Sequence, residues 1–252
     1  MKPLFSAEGR AALQALASRR PLLAFDFDGT LAPIVPRPET ARVPLPVVGR
    51  LRRLAELATV AVVTGRDADD VRPRLGFEPK FTIGNHGIDI GTPEAQAAWR
   101  AALDPLRDEI AAQDAGLRHA GVTVEDKGLS LALHYRLAPH HDQAVGAVEA
   151  VLAVAAVGLR VVPGKCVLNV MDPRAPDKGD AMLALVERAG CDCALFVGDD
   201  ENDESVFIKA PPDWVTVRVE RDHIRSRARY YLDGTPQIPA LLDALVGRIC
   251  AT

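Results

Sequence analysis

Asp26 and Asp28 stand two positions apart at the end of an apolar run, 22–27, in the stretch DFDGT. Two carboxylates that close repel, and both stay ionised near neutrality only beside a cation or strong donors. A hard divalent metal meets that need, and Mg²⁺ in particular is held by one or two carboxylates together with waters and phosphate oxygens. A second acidic stretch, GDDENDE at 198–204, supplies Asp199, Asp200 and Asp203. Thr64, Gly65 and Arg66 close another apolar run in TVAVVTGR, and His86 lies in GNHG. Lys178, in DKGD, sits at a helix start, where backbone amides also favour an anion.

These residues need a scaffold that gathers them. Short, continuous apolar runs at 22–27, 59–66, 80–87 and 193–200 each end in a polar cluster, the signature of strands buried on both faces of a parallel sheet. Helical patterns at 47–58 and 179–189 lie between them, and Gly190 stops the second. Strands alternating with helices predict an α/β doubly wound, Rossmann-like fold. In that architecture ligands sit beyond the carboxyl ends of the strands, where Asp26, Asp28, Thr64, His86, Asp199 and Asp203 all fall.

One region breaks the alternation. Between 91 and 171 the pattern reads helix (94–115), strands (117–126 and 129–137), helix (140–157), then strands (159–162 and 166–171). An αββ unit written twice predicts a small α+β domain inserted into the first. The expected division is a core of 1–88 and 172–252 interrupted by an insert of 89–171. In LSLALHYRL, period-two alternation puts Leu129, Leu131, Leu133 and Tyr135 on one face and Ser130, Ala132, His134 and Arg136 on the other.

Bulk properties narrow the function classes. The chain of 252 residues, nearly half hydrophobic, is long enough for a sizeable core. A formal charge of −4 argues against a general nucleic-acid binder. No stretch has the length of an apolar membrane span, and the opening residues lack a signal peptide's apolar centre, so a cytoplasmic location is expected. The four cysteines, Cys166, Cys191, Cys193 and Cys250, contain no C-x-x-C pair and are expected to be reduced and structural.

The four motifs, in this order on strand ends, resemble the haloacid dehalogenase-type phosphatases. Further stretches, GNHG, VEDKGLSLALHYR, PGKCVLNV and VGDDENDESVF, are similar to those of trehalose-6-phosphate phosphatases, in which an insert caps the active site. The resemblance implies Asp26 as nucleophile, Asp28 as general acid and base, and Thr64 and Lys178 as catalytic partners of the phosphoryl group. It implies Mg²⁺ held by Asp26, the backbone carbonyl of Asp28 and Asp199, with Asp203 and Asp200 supporting that sphere. Gly65, Arg66 and His86 are candidate substrate contacts of the core. Glu125, Lys127, Arg136, Lys165 and Asn169 match positions that grip the sugar. The family generally has glutamate in place of Asn169 and threonine in place of Asn202.

The expectation is a Mg²⁺-dependent phosphomonoesterase that releases trehalose and phosphate through an aspartyl-phosphate, its partner a sugar phosphate made by a trehalose-6-phosphate synthase. A phosphatase of another glycosyl phosphate, a phosphomutase needing a bisphosphate activator, and a non-catalytic sugar-phosphate sensor stand beside it. The sensor requires a lost Asp26 or Asp28, and both are present.

Overall fold

The computed structural model describes residues 1–164, 166–220 and 225–251. It divides into two compact units, one made of Met1–Ile90 with Asp177–Thr252, the other of Gly91–Pro176.

The first unit opens with β1 (Lys2–Pro3), α1 (Ala7–Ala17) and β2 (Pro21–Phe25). It continues through α2 (Leu45–Leu57), β3 (Thr59–Val63), α3 (Ala68–Leu75) and β4 (Phe81–Ile83). All five residues of β2 are buried, as a central parallel strand covered on both faces requires. α2 starts after Pro44 and turns Val47, Val48, Leu51 and Leu54 inward, the helical spacing that gives one apolar stripe.

The second unit carries α4 (Pro93–Ala101), α5 (Asp104–Ala112), α6 (Asp114–His119), β5 (Thr123–Asp126) and β6 (Leu131–His134). α7 (His141–Ala155), β7 (Arg160–Gly164) and β8 (Val167–Met171) complete it. Its strands form an antiparallel sheet in the order β5-β6-β8-β7. Leu131, Leu133 and Val170 pack with Leu106, Val148 and Val151 of the helices in one apolar cluster.

Three expectations fail in this unit. The single helix over 94–115 is three helices: Pro105, in the first turn of α5, has no N–H to carry a preceding helix through, and a second break falls at Gln113, which leaves helical backbone at φ −99° and ψ 7°. Leu117, expected to open a strand, is buried in α6, and the strand starts only at Thr123. β6 ends at His134, and Arg136 lies exposed in the following turn, closed by the Ala138 N–H donating to the Tyr135 carbonyl at 3.1 Å. The alternation that put His134 and Arg136 on one face therefore stops before Arg136.

The chain returns to the first unit through α8 (Lys178–Ala189), β9 (Cys193–Gly198), α9 (Glu204–Lys209), β10 (Val215–Val219), β11 (Tyr230–Leu232) and α10 (Ile238–Ile249). α8 is bracketed by local chemistry: the Asp177 carboxylate accepts from the Asp180 N–H, and Gly190 ends the helix at φ 62°. The described strands form a seven-stranded parallel sheet in the order β1-β11-β10-β9-β2-β3-β4. From β2 the chain steps outward through β3 to β4; from β9 it steps the other way through β10 to β11. The order reverses between β2 and β9, the crevice in which open α/β sheets bind ligands.

Candidate active site

The register of β2 on β9 builds the site. Phe25 pairs with Val197, and the Asp26 N–H donates to the Val197 carbonyl at 2.9 Å. Asp26 and Asp199 therefore leave the ends of neighbouring strands side by side. One carboxylate oxygen each from Asp26, Asp199 and Asp203 lies within 4.8 Å of the others, and all three residues are buried. Gly29 makes the closeness feasible: at φ +76°, an added Cβ would stand 2.1 Å from Asp199 Oδ2. The Thr30 hydroxyl donates to Asp199 Oδ1 at 3.4 Å.

Lys178, at the start of α8 and 2 % exposed, sends its ammonium between two of these acids. Nζ lies 3.0 Å from Asp26 Oδ1 and 2.7 Å from Asp203 Oδ1. The other Asp203 oxygen accepts from the Asp200 N–H at 3.0 Å. Burial disfavours the Lys178 ammonium, but Asp203 and Asp26 outweigh it and hold its pKa above the ordinary lysine value. Burial pushes the Asp26 carboxyl well above the ordinary carboxylate range; Lys178 draws it back, while Asp203 and Asp199 push it further up. Lysine stays charged, and the surplus negative charge of three acids facing one ammonium falls on the carboxylates. A buried cluster of that composition is stable as a fully ionised set only with further positive charge. The triad could hold a metal ion: three oxygen donors with unmatched charge suit a hard divalent cation.

Thr64 follows β3 and is 1 % exposed; its hydroxyl accepts from the Arg66 N–H at 3.2 Å. The Thr64–Arg66 loop is sewn to the loop after β4. Thr64 N–H donates to the Ile83 carbonyl, His86 N–H to the Thr64 carbonyl and Asn85 N–H to the Arg66 carbonyl, at 2.8 to 3.0 Å. Asn85 and His86 hold left-handed backbone at φ 50° and 58°. The His86 ring packs against Gly65, where an added Cβ would lie 2.3 Å from Cε1.

Asp28 goes elsewhere. Its carboxylate turns to Arg66, which donates from Nε to Oδ2 at 2.6 Å and from Nη2 to Oδ1 at 2.8 Å. β2 ends at Phe25, so the strand alternation that would align Asp26 with Asp28 has stopped before it can act. Asp70 on α3, which sequence reasoning missed, accepts from Arg66 Nη1 at 3.1 Å. The i, i+4 spacing of Arg66 and Asp70 at a helix start was the available signal. Arg218 on β10 was missed as well: it is 2 % exposed and donates to Glu204 Oε1 at 3.2 Å and to the Asp200 carbonyl at 3.3 Å. It is a lone cation in VTVRV.

The remaining candidates lie in the second unit. Glu125 pairs with Ala132 across β5 and β6, and Ala132 with Asn169 across β6 and β8. Glu125, Ala132 and Asn169 thus form one row on the sheet face opposite Leu131, Leu133 and Val170. His134 Nε2 lies 2.9 Å from Glu125 Oε2, and Lys127 Nζ lies 3.8 Å from the same oxygen. Asn169 is 3 % exposed. Lys165 falls outside the described residues.

A family model described as trehalose-phosphatase matches residues 24–235. A trehalose-phosphate phosphatase of Mycobacterium ulcerans is 33 % identical over 244 residues, covering 92 % of this chain and 62 % of that protein. An uncharacterized glycosyl hydrolase of Mycobacterium tuberculosis is 37 % identical over 205 residues, 76 % of this chain but 15 % of that protein. The chain thus spans a little under two thirds of the first of these relatives and about a seventh of the second. Among solved structures, the C-terminal domain of a Candida albicans trehalose-6-phosphate phosphatase superposes with a TM-score of 0.79 at 22 % identity, covering 98 % of each chain.

Proposed function

This chain belongs to the trehalose-phosphatase family, and we propose that it is a Mg²⁺-dependent phosphomonoesterase hydrolysing trehalose 6-phosphate to trehalose and phosphate. The observation that carries this reading is the buried cluster of Asp26, Asp199 and Asp203 around Lys178, at the reversal of strand order, with Thr64 at the end of β3, the strand paired with β2.

Phosphate monoesters hydrolyse very slowly unaided, so an enzyme must place a nucleophile in line and neutralise the equatorial oxygens. In this reading Asp26 attacks phosphorus as the bond to the sugar oxygen breaks, giving an aspartyl-phosphate. Asp28 gives a proton to the departing oxygen and then takes one from the water that cleaves the aspartyl-phosphate. Lys178 and the Thr64 hydroxyl face the phosphoryl oxygens, and Lys178 also fixes the Asp26 carboxylate. Asp26, Asp199 and the Asp28 backbone carbonyl would hold the cation, with Asp203 beside them and Asp200 orienting Asp203. When bound, Mg²⁺ supplies charge neutralisation for the phosphoryl group.

Sugar selectivity is assigned to Glu125, Lys127, Arg136, Lys165 and Asn169. An asparagine where the family generally has glutamate leaves a hydrogen-bonding group without charge, which favours another glycosyl phosphate as the second reading. The substrate is the product of a trehalose-6-phosphate synthase, whose pathway the protein is proposed to share in the cytoplasm. Among the described residues no helix is long and apolar enough to cross a membrane.

Phosphate release from trehalose 6-phosphate, sucrose 6-phosphate, glucose 6-phosphate and para-nitrophenyl phosphate, in Mg²⁺ and in chelator, tests the reading. The expected result is turnover that needs the metal and prefers trehalose 6-phosphate. Full activity of stripped protein in chelator overturns the metal assignment, and a preference for another sugar overturns the substrate.

A further inference from the structure

Arg66 was expected to contact substrate, yet its guanidinium is occupied. Nε and Nη2 grip the two Asp28 oxygens at 2.6 and 2.8 Å, Nη2 also donates to the Pro38 carbonyl at 2.8 Å, and Nη1 donates to Asp70 at 3.1 Å. Four of the five N–H donors of an arginine are thereby engaged. The group also lies over the Phe27 ring, 5.2 Å from its centroid. Behind it the backbone is pinned, N–H to the Thr64 hydroxyl and carbonyl to the Asn85 N–H. Asp70 is itself held by Arg74, whose Nε lies 3.1 Å from Oδ2 and whose Nη1 reaches the Glu39 carbonyl. The side chain of Arg66 is 13 % exposed, whereas that of Asp28 is 41 % exposed. A buried, pre-organised fork holds an accessible carboxyl.

We propose that Arg66 is a positioning residue that fixes the plane of the Asp28 carboxyl for proton transfer, and does not serve as a ligand of the phosphoryl group. The inference rests on the reading of Asp28 as the acid. A carboxylate oxygen has two lone pairs, and the planar pairing with arginine uses one on each, leaving the outward lone pair in a fixed direction. As Asp26 bonds phosphorus and the ester bond breaks, the proton goes from Asp28 to the departing oxygen. The carboxylate left behind is already paired with Arg66 when it takes a proton from the attacking water. Lysine, a point charge with no fork, cannot hold that plane.

Leaving-group dependence reads the role directly. An acid matters for a poor leaving group and is dispensable for a good one, so phenyl phosphate and dinitrophenyl phosphate are compared by kcat/KM. Arg66→Lys and Arg66→Gln should lose roughly 10- to 100-fold on phenyl phosphate, at or below the low end of general-acid contributions because the acid itself is still present, and under about threefold on dinitrophenyl phosphate. Asp28→Asn should show the same selectivity to a larger degree. Arg66→Lys added to Asp28→Asn should cause no further selective loss, since the two act as one unit. Equal losses on both esters for the Arg66 variants, with Asp28→Asn selective, overturn the proposal and return Arg66 to phosphoryl binding or folding. An Asp28→Asn protein without selectivity removes the acid itself, and this role of Arg66 with it. Arg66→Lys is the variant that keeps the charge, and its rate on dinitrophenyl phosphate doubles as the check that it is folded.

Discussion

Replacing Lys178 with methionine removes an ammonium that sits 3.0 Å from Asp26 and 2.7 Å from Asp203, with Asp199 in the same buried cluster. At an effective dielectric of about 20, each attraction is roughly 6 kcal/mol. Desolvation of the buried ions takes back several kcal/mol apiece, and breaking a buried pair from one side nets a loss of about 3–5 kcal/mol. Urea unfolding in chelator should therefore show the variant less stable by that amount. A divalent cation binds in the same field as the lost ammonium, so the more negative site should bind it more tightly. Stabilisation by a ligand grows as the logarithm of its concentration over Kd, and the gap between parent and variant should narrow in saturating Mg²⁺. Turnover moves the other way, dropping roughly 100- to 1,000-fold as for other preorganised electrostatic donors. The reasoning is refuted if the variant matches the parent in chelator, or if Mg²⁺ stabilises both equally, because Lys178 and the cation would then not share the carboxylates.

Asp26→Asn should release no phosphate while keeping the parent's circular dichroism; a rate near the parent's would remove the covalent step. Gly29→Ala puts a Cβ 2.1 Å from Asp199 Oδ2 at φ +76°, so turnover should fall on the order of 100-fold and the Mg²⁺ midpoint rise; unchanged values of both would show that Asp199 does not matter to the site. Asn169→Ala should lower kcat/KM for trehalose 6-phosphate about tenfold, by loss of a hydrogen bond worth roughly 1 kcal/mol or more, with para-nitrophenyl phosphate changed less than twofold; equal losses would make Asn169 a folding residue. In the second unit Arg107 donates to both Asp126 oxygens, at 2.8 and 3.2 Å, and holds that carboxyl below its ordinary pKa. Its contribution is present above the unfolded carboxylate pKa and is lost as pH falls through the lower folded one. Arg107→Ala should thus cost up to about 1 kcal/mol near neutrality, given the half-exposed partner, and the gap in thermal unfolding should close in acid; a gap independent of pH would refute the assignment.

The parts of this molecule legible in its sequence are those whose address is a strand end. β2, β3 and β9 lie inside the sheet and are buried almost throughout, so they read as continuous apolar runs, whereas β4 is a half-buried edge strand; in each case the polar residue that ends the run marks where it leaves the sheet. Val215–Val219 belongs to the same sheet and is buried throughout, but Thr216 and Arg218 interrupt its apolar run, and a strand with a buried arginine carries no such signal. The second unit shows the opposite error: helical pattern continues across Pro105, and the first of the two breaks is set by one missing N–H rather than by any change in periodicity. Partner choice is the least local property of all. Asp26 and Asp28 look equivalent in DFDGT, yet one enters a triad with residues from β9 onward and the other turns to Arg66, 38 positions away. A carboxylate has no side-chain periodicity once its strand has ended; it goes to whichever cation the sheet order brings within reach. The strand order reverses between β2 and β9, so β9 and α8 deliver Asp199 and Lys178 to Asp26, while β3 on the other flank delivers Arg66 to Asp28. The division of labour between two aspartates two residues apart is therefore a consequence of topology: each faces a different flank of β2, and each takes the cation that flank delivers, Lys178 from the start of α8 on one side and Arg66 from beyond β3 on the other.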